Sequence, residues 1–198
     1  MTGAAGPPPV ADAPARARLF VALELPAPVV SALVAWRTPL LRELPALRPV
    51  AREALHATLC FIGWRDEEAI APIAALVAGC ARRRGGVAGL ALGAPLWLPR
   101  RQPRVLALAL EDRHGLLAAL QAQVVGALAD GGWHEPEARP YLPHVTVARV
   151  RAGESVPRRM ELPAAPALAF DGAAVVLYRS RLARAGARYE PLSVSRLA

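Results

Sequence analysis

The pattern His-x-Thr occurs twice, at His56-Ala57-Thr58 and His144-Val145-Thr146, each time inside a short run that alternates apolar and polar side chains. In a strand, residues i and i+2 project from one face about 6.5–7 Å apart. His56 and Thr58 therefore point one way while Leu55, Ala57 and Leu59 point the other, and Val145 and Val147 lie opposite His144 and Thr146 in the same manner. A fold that buries both apolar faces leaves two His-Thr pairs facing a cleft. The chain has only four histidines and four threonines, so two such coincidences have a chance of about 0.002. The copies lie 88 residues apart, each preceded by a strand-helix region and followed by a small apolar strand end, which predicts two similar lobes, each offering one pair.

The surrounding pattern predicts a mixed α+β fold. Arg18 to Leu25 reads as a strand ended by Pro26, followed by a helix over Ala27 to Arg42 with Val29, Val30, Leu33, Val34 and Leu41 inside, Ser31, Arg37 and Arg42 on its polar side, and a late break at Pro39. Leu55 to Ile62 is a second strand, closed by Gly63, and a helix follows over Ala69 to Arg82 behind the acidic Asp66, Glu67 and Glu68. Val87 to Leu98 reads as one or two strands and Arg104 to Leu110 as another. The longest helix runs from Arg113 to Asp130 and is stopped by Gly131 and Gly132. His144 to Val150, Ala173 to Tyr178 and Tyr189 to Val194 complete the strands. Single strands between helices and adjacent pairs both occur, so a purely parallel sheet is not expected. Residues 1–17, rich in Ala, Pro and Gly, read as a disordered tail without the basic start and apolar core of a secretion signal, and residues 18–198 as one domain.

Composition removes several chemistries. All 24 basic residues are arginine against 16 acidic ones, a formal charge of +8. Without lysine there is no P-loop lysine, no Schiff base and no lysyl-adenylate. The excess of arginine favours a partner bearing phosphate, which a guanidinium grips with a planar fork of donors. No apolar run is long enough to span a membrane. Cys60 and Cys80 stand in neither a C-x-x-C pair nor a zinc spacing, and read as buried thiols of a cytoplasmic protein.

Two imidazoles across a cleft form an acid-base set, since histidine titrates near neutrality. The threonine hydroxyls add neutral donors for phosphate oxygens, and a phosphodiester that needs one proton delivered and one removed fits between them. Arg149 follows His144 at five residues. Strict alternation puts it on the wrong face, so a phosphate-binding role requires a strand end, a bulge or the reach of its long side chain. Tyr141, beside the second motif, is a candidate substrate contact by stacking on a base, with core packing the alternative. His114 and His134 lack threonine partners and read as exposed. His134-Glu135-Pro136-Glu137 lacks the fixed face of a metal motif, so neither metal nor cofactor is expected. Arg82, Arg83 and Arg84 read as a solvated helix end, and Tyr178 and Trp97 as core.

With these residues in place, the chain resembles the RNA 2′,3′-cyclic phosphodiesterases of the two-histidine (2H) phosphoesterase superfamily, formerly the 2′-5′ RNA ligases. The likeness runs through Arg18 to Pro26, Leu55 to Leu59, Phe61-Ile62-Gly63, Pro103 to Leu106, Arg139 to Arg149 and Leu177 to Leu182. Pro49 and Trp64 depart from it, standing where relatives often carry tryptophan and an acidic residue. The resemblance implies a bilobal α+β fold with a pseudo-twofold repeat, two antiparallel sheets lining a central cleft and helices outside. It implies metal-free hydrolysis of a 2′,3′-cyclic phosphate to a 2′-phosphomonoester, with reverse ATP-independent 2′-5′ joining. By position it makes His56 the proton donor and His144 the acceptor, with Thr58, Thr146 and Arg149 on the phosphate. The expected partner is RNA with a 2′,3′-cyclic phosphate end, and no obligate protein partner is expected. The rivals are a phosphodiesterase for small cyclic nucleotides or an ADP-ribose cyclic phosphate, a non-catalytic RNA-binding module, and a metal-dependent hydrolase.

Overall fold

In the computed structural model, residues 15–157, 160–183 and 186–197 are described. Their order is β1 (Arg16–Glu24), α1 (Ala27–Glu43), β2 (Leu47–Pro49), β3 (His56–Asp66), α2 (Ile70–Arg84), β4 (Leu90–Leu98), β5 (Val105–Asp112), α3 (Leu116–Asp130), β6 (His144–Val150), β7 (Ala169–Phe170), β8 (Ala174–Ala183) and β9 (Gly186–Arg196). The expected tail lies outside the described residues as far as position 14. Arg16 and Ala17 do not belong to it: they open β1 two residues early, because Ala17 is buried and Arg16 pairs with Asp66 on β3.

All pairings are antiparallel, and the strands form a curled sheet in the order β7-β4-β5-β6-β3-β1-β8-β9, with β2 added beside β6. The two sheets that the resemblance implies are thus joined into one, but only narrowly. β1, β3, β8 and β9 form one half and β4 to β7 with β2 the other, and the sole register between the halves among the described residues is Ala57 opposite Val145. The helices pack on one side of this sheet, α1 on β6 and β2, α3 on β3 and β5, and α2 on β8, β9 and α3. Leu19, Val21 and Leu23 of β1, Leu33 of α1, Ile73 of α2, Leu117, Leu120 and Leu128 of α3, and Leu106 and Leu108 of β5 fill the space between. No helix among the described residues is long and apolar enough to cross a membrane.

Several boundaries differ from the pattern reading. Helix α1 runs through Pro39 to Glu43, because its buried line Val29, Leu33, Arg37 and Leu40 continues across the proline, and tertiary packing offsets the one lost hydrogen bond. Strand β3 passes through Gly63, whose φ of 82° suits a residue without Cβ, and ends at Asp66. The hairpin β8-β9 is longer than either of its predicted strands. The short strands β2 and β7 carry no alternation of their own and were not predicted.

Candidate active site

The residue between His and Thr in one motif pairs with the residue between His and Thr in the other. Ala57 and Val145 are both fully buried, so His56, Thr58, His144 and Thr146 emerge together on the opposite face, as strand alternation requires. An antiparallel pair has a local twofold axis at each such register. Around this one, each histidine lies diagonally across from its counterpart and beside the other motif's threonine. Beyond the seam the strands diverge. Tyr141 Oη donates to the carbonyl of Thr58 at 3.1 Å and Gln121 Nε2 to that of Leu59 at 3.4 Å, supplying donors where a neighbouring strand is missing.

Both imidazoles are oriented by the same device. His56 Nδ1 lies 2.8 Å from the carbonyl of Ala54, and His144 Nδ1 lies 2.7 Å from the carbonyl of Leu142, in each case two residues back. A carbonyl only accepts, so Nδ1 carries the hydrogen and Nε2 of the neutral ring keeps its lone pair. His56 Nε2 is 3.1 Å from Thr58 Oγ1, which donates to it while the ring is neutral.

The surroundings of the two rings differ. Phe20 lies 5.0 Å from the His56 ring, Tyr189 sits edge-on at 5.3 Å, and Tyr178 lies at 6.2 Å. Their burial of the ring, with the nearby charges of Arg149 and His144 and against the Ala54 hydrogen bond, lowers the His56 pKa to about 4. Tyr178, read as core, in fact stands half-buried in this cluster, and Tyr189 and Phe20 are site residues that the sequence pattern treated as ordinary strand members. Only the register across β1, β8 and β9 brings the three rings together.

This depression ties stability to pH. The unfolded imidazole takes a proton near 6.5 and the folded one only near 4, so the unfolded state binds more protons in between and folding stability is lost as pH falls through that window. The loss should reach on the order of 3 kcal/mol. Urea midpoints at pH 7.5 and pH 4 are expected to differ more in the parent than in His56→Gln. Equal differences would contradict a buried neutral ring at this position.

Arg149 reaches the cleft face through a bulge. On β6, Thr146 pairs with Ala107 of β5 and Ala148 with Leu106, which leaves Val147 as an extra residue. Val147 and Ala148 are consecutively buried and Arg149 is exposed. The parity is reset, Arg149 joins His144 and Thr146, and its charge is felt at His56. β3 carries the same device: Thr58 pairs with Ala22 and Cys60 with Val21, skipping Leu59, so that Phe61 emerges, 59% exposed, at the position equivalent to Arg149.

Other residues are placed differently from expectation. The ring of Tyr141 packs against the core and its hydroxyl is engaged by Thr58, so it braces the first motif, and burial pushes its pKa up. Arg37, assigned to the polar side of α1, is 6% exposed. His114 is exposed as expected, whereas His134 is half-buried. Cys60 and Cys80 are buried free thiols.

A family model described as the 2′-5′ RNA ligase superfamily matches residues 25–184. The RNA 2′,3′-cyclic phosphodiesterase of Escherichia coli (strain K12) is 33% identical over 181 residues, spanning 88% of this chain and 93% of its own. That of Thermus thermophilus is 32% identical over 143 residues, spanning 68% and 69%. Among solved structures, E. coli LigT complexed with 3′-AMP superposes with a TM-score of 0.73 at 29% identity, over 93% of this chain and 99% of that one.

Proposed function

Since the chain belongs to the 2′-5′ RNA ligase superfamily, we propose that it is an RNA 2′,3′-cyclic phosphodiesterase that opens the cyclic phosphate to a 2′-phosphomonoester without a metal. The observation that carries this reading is the Ala57–Val145 seam, which brings two His-Thr pairs out on one face, an arrangement suited to an acid and a base acting on one phosphate. The domain expected over residues 18–198, extended to Arg16 by β1, is read as one bilobal unit with its pseudo-twofold axis passing through that seam.

In the proposed reaction neutral His144 takes a proton from water through Nε2, and the oxygen attacks phosphorus in line with the bond to O3′. Protonated His56 delivers its proton to O3′ as that bond breaks, and the phosphate stays on O2′. Thr58, Thr146 and Arg149 bind the non-bridging oxygens, where charge accumulates. With its pKa lowered to about 4, His56 is neutral at pH 7 and accepts from Thr58. A bound phosphate offsets the charge of Arg149 and draws the Thr58 hydroxyl to itself, which frees Nε2 and raises its affinity for a proton. Substrate binding and the charging of the acid are thereby coupled. The reversed reaction would join 2′,5′ ends without ATP.

A second reading exchanges the two roles, with His56 as base and His144 as acid. The low pKa of His56 favours it, and the near-twofold geometry accommodates either direction. In both readings the protein is cytoplasmic, with its two thiols reduced, and works without an obligate protein partner.

The test is incubation with an oligoribonucleotide ending in a 2′,3′-cyclic phosphate, in EDTA, with the product identified by phosphorus NMR. A 2′-phosphate formed at an undiminished rate is expected. A 3′-phosphate, or activity that returns only with added metal, would refute the scheme. Faster turnover of cyclic mononucleotides would point to the small-molecule rival, and binding without turnover to an RNA-binding module.

A further inference from the structure

Arg37 is an unusual residue to bury. It sits on α1 among Val29, Leu33 and Leu40, is 6% exposed, and forms no ion pair among the described residues. Burial lowers its pKa, partly offset by the charge of Glu53. A guanidinium held away from water without a carboxylate is costly, and apolar side chains of similar volume are often better tolerated in such places. Its partners say what it does there. Nη1 donates to the carbonyls of Val50 and Val147, the latter at 2.8 Å. Val147 is the extra residue of the β6 bulge, and its carbonyl also accepts the N–H of Val50 at 3.1 Å.

The first motif has a milder counterpart. There the extra residue is Leu59, and its carbonyl receives the neutral amide of Gln121 from α3. At each bulge, then, a helix side chain ties the carbonyl of the extra residue. The second tie spans two carbonyls, each taking one hydrogen of the single nitrogen Nη1, and its donor carries a charge that the amide of Gln121 lacks.

We propose that Arg37 is a positioning residue that holds the bulge at Val147 and so keeps Arg149 on the face of His144 and Thr146. Without the bulge, alternation returns Arg149 to the opposite face. Arg37 never touches substrate. It acts through Arg149, and this inference rests on the phosphate-binding role proposed for that residue.

The experiment is a double-variant cycle with inorganic phosphate as the probe, read by calorimetry, alongside kcat and KM on the cyclic-phosphate oligonucleotide. Arg37→Gln is expected to weaken phosphate binding and raise KM about tenfold in the parent, and less than twofold in an Arg149→Met background, since there the group it positions is gone. In a Thr58→Val background the full tenfold should persist. An undiminished effect beside Arg149→Met, or no effect in the parent, would overturn the proposal. Where Arg37→Gln does not fold, Arg37→Met keeps an apolar stem of similar length while removing both donors, and the same pattern is required of it. A parent that binds no phosphate removes the role of Arg149, and the proposal with it. A parent that binds phosphate while the Arg37 and Arg149 effects multiply defeats this inference alone.

Discussion

Replacing His144 or His56 with alanine should each lower kcat/KM by ~10²–10⁴-fold, the range for a proton transfer lost from a transition state. The fall belongs mainly to kcat, because neither imidazole is proposed to hold the substrate in its ground state. The double variant should be little worse than the worse single one, since both groups serve one in-line displacement and either loss stalls it. Initial rates on the cyclic-phosphate oligonucleotide measure this. Losses that multiply across the double variant would mean that the rings act in separate steps.

Arg149→Met should lower kcat/KM by roughly 10- to 100-fold, about what removing a charge-assisted bond to phosphate costs, and the loss should fall chiefly on KM. The same substitution has a second consequence that a purely structural residue would not produce. The Arg149 charge opposes protonation of His56, so its removal should move the His56 titration upward from about 4. Ring proton shifts followed against pH measure that movement. A titration that stays in place would separate Arg149 from the site, whatever happened to the rate.

The parts of this site visible in the sequence are those that depend on local geometry. Strand alternation suffices to put His56 with Thr58 and His144 with Thr146, and to turn Ala57 and Val145 inward. Arg149 marks the boundary of that logic. Its face depends on one extra residue at Val147, and whether a strand bulges there is decided by its pairing with β5 rather than by its own letters. Phe20, Tyr178 and Tyr189 come from three strands brought together by long-range register, so no local pattern marks them as the walls of His56. Arg37 misled for a related reason. An arginine on an amphipathic helix belongs on the solvent side unless something inside accepts its hydrogens, and the carbonyls that do so lie 13 and 110 residues away. The narrow seam was equally hidden: alternation predicted two cleft-facing pairs, but not that a single residue pair would join the two halves of the sheet.

In the proposed reaction two histidines divide acid and base duty across that seam, and a substrate with sulfur in place of the bridging 3′ oxygen tests this most directly. A thiolate leaves with little help, because thiols ionise near ~8.5 and alcohols far higher. With His56 as the acid, His56→Ala should be severely impaired on the oxygen substrate and largely restored on the sulfur one, while His144→Ala stays impaired on both because water must still be activated. Rescue of His144→Ala instead would exchange the two roles, and rescue of neither would contradict proton delivery to the leaving group by either ring.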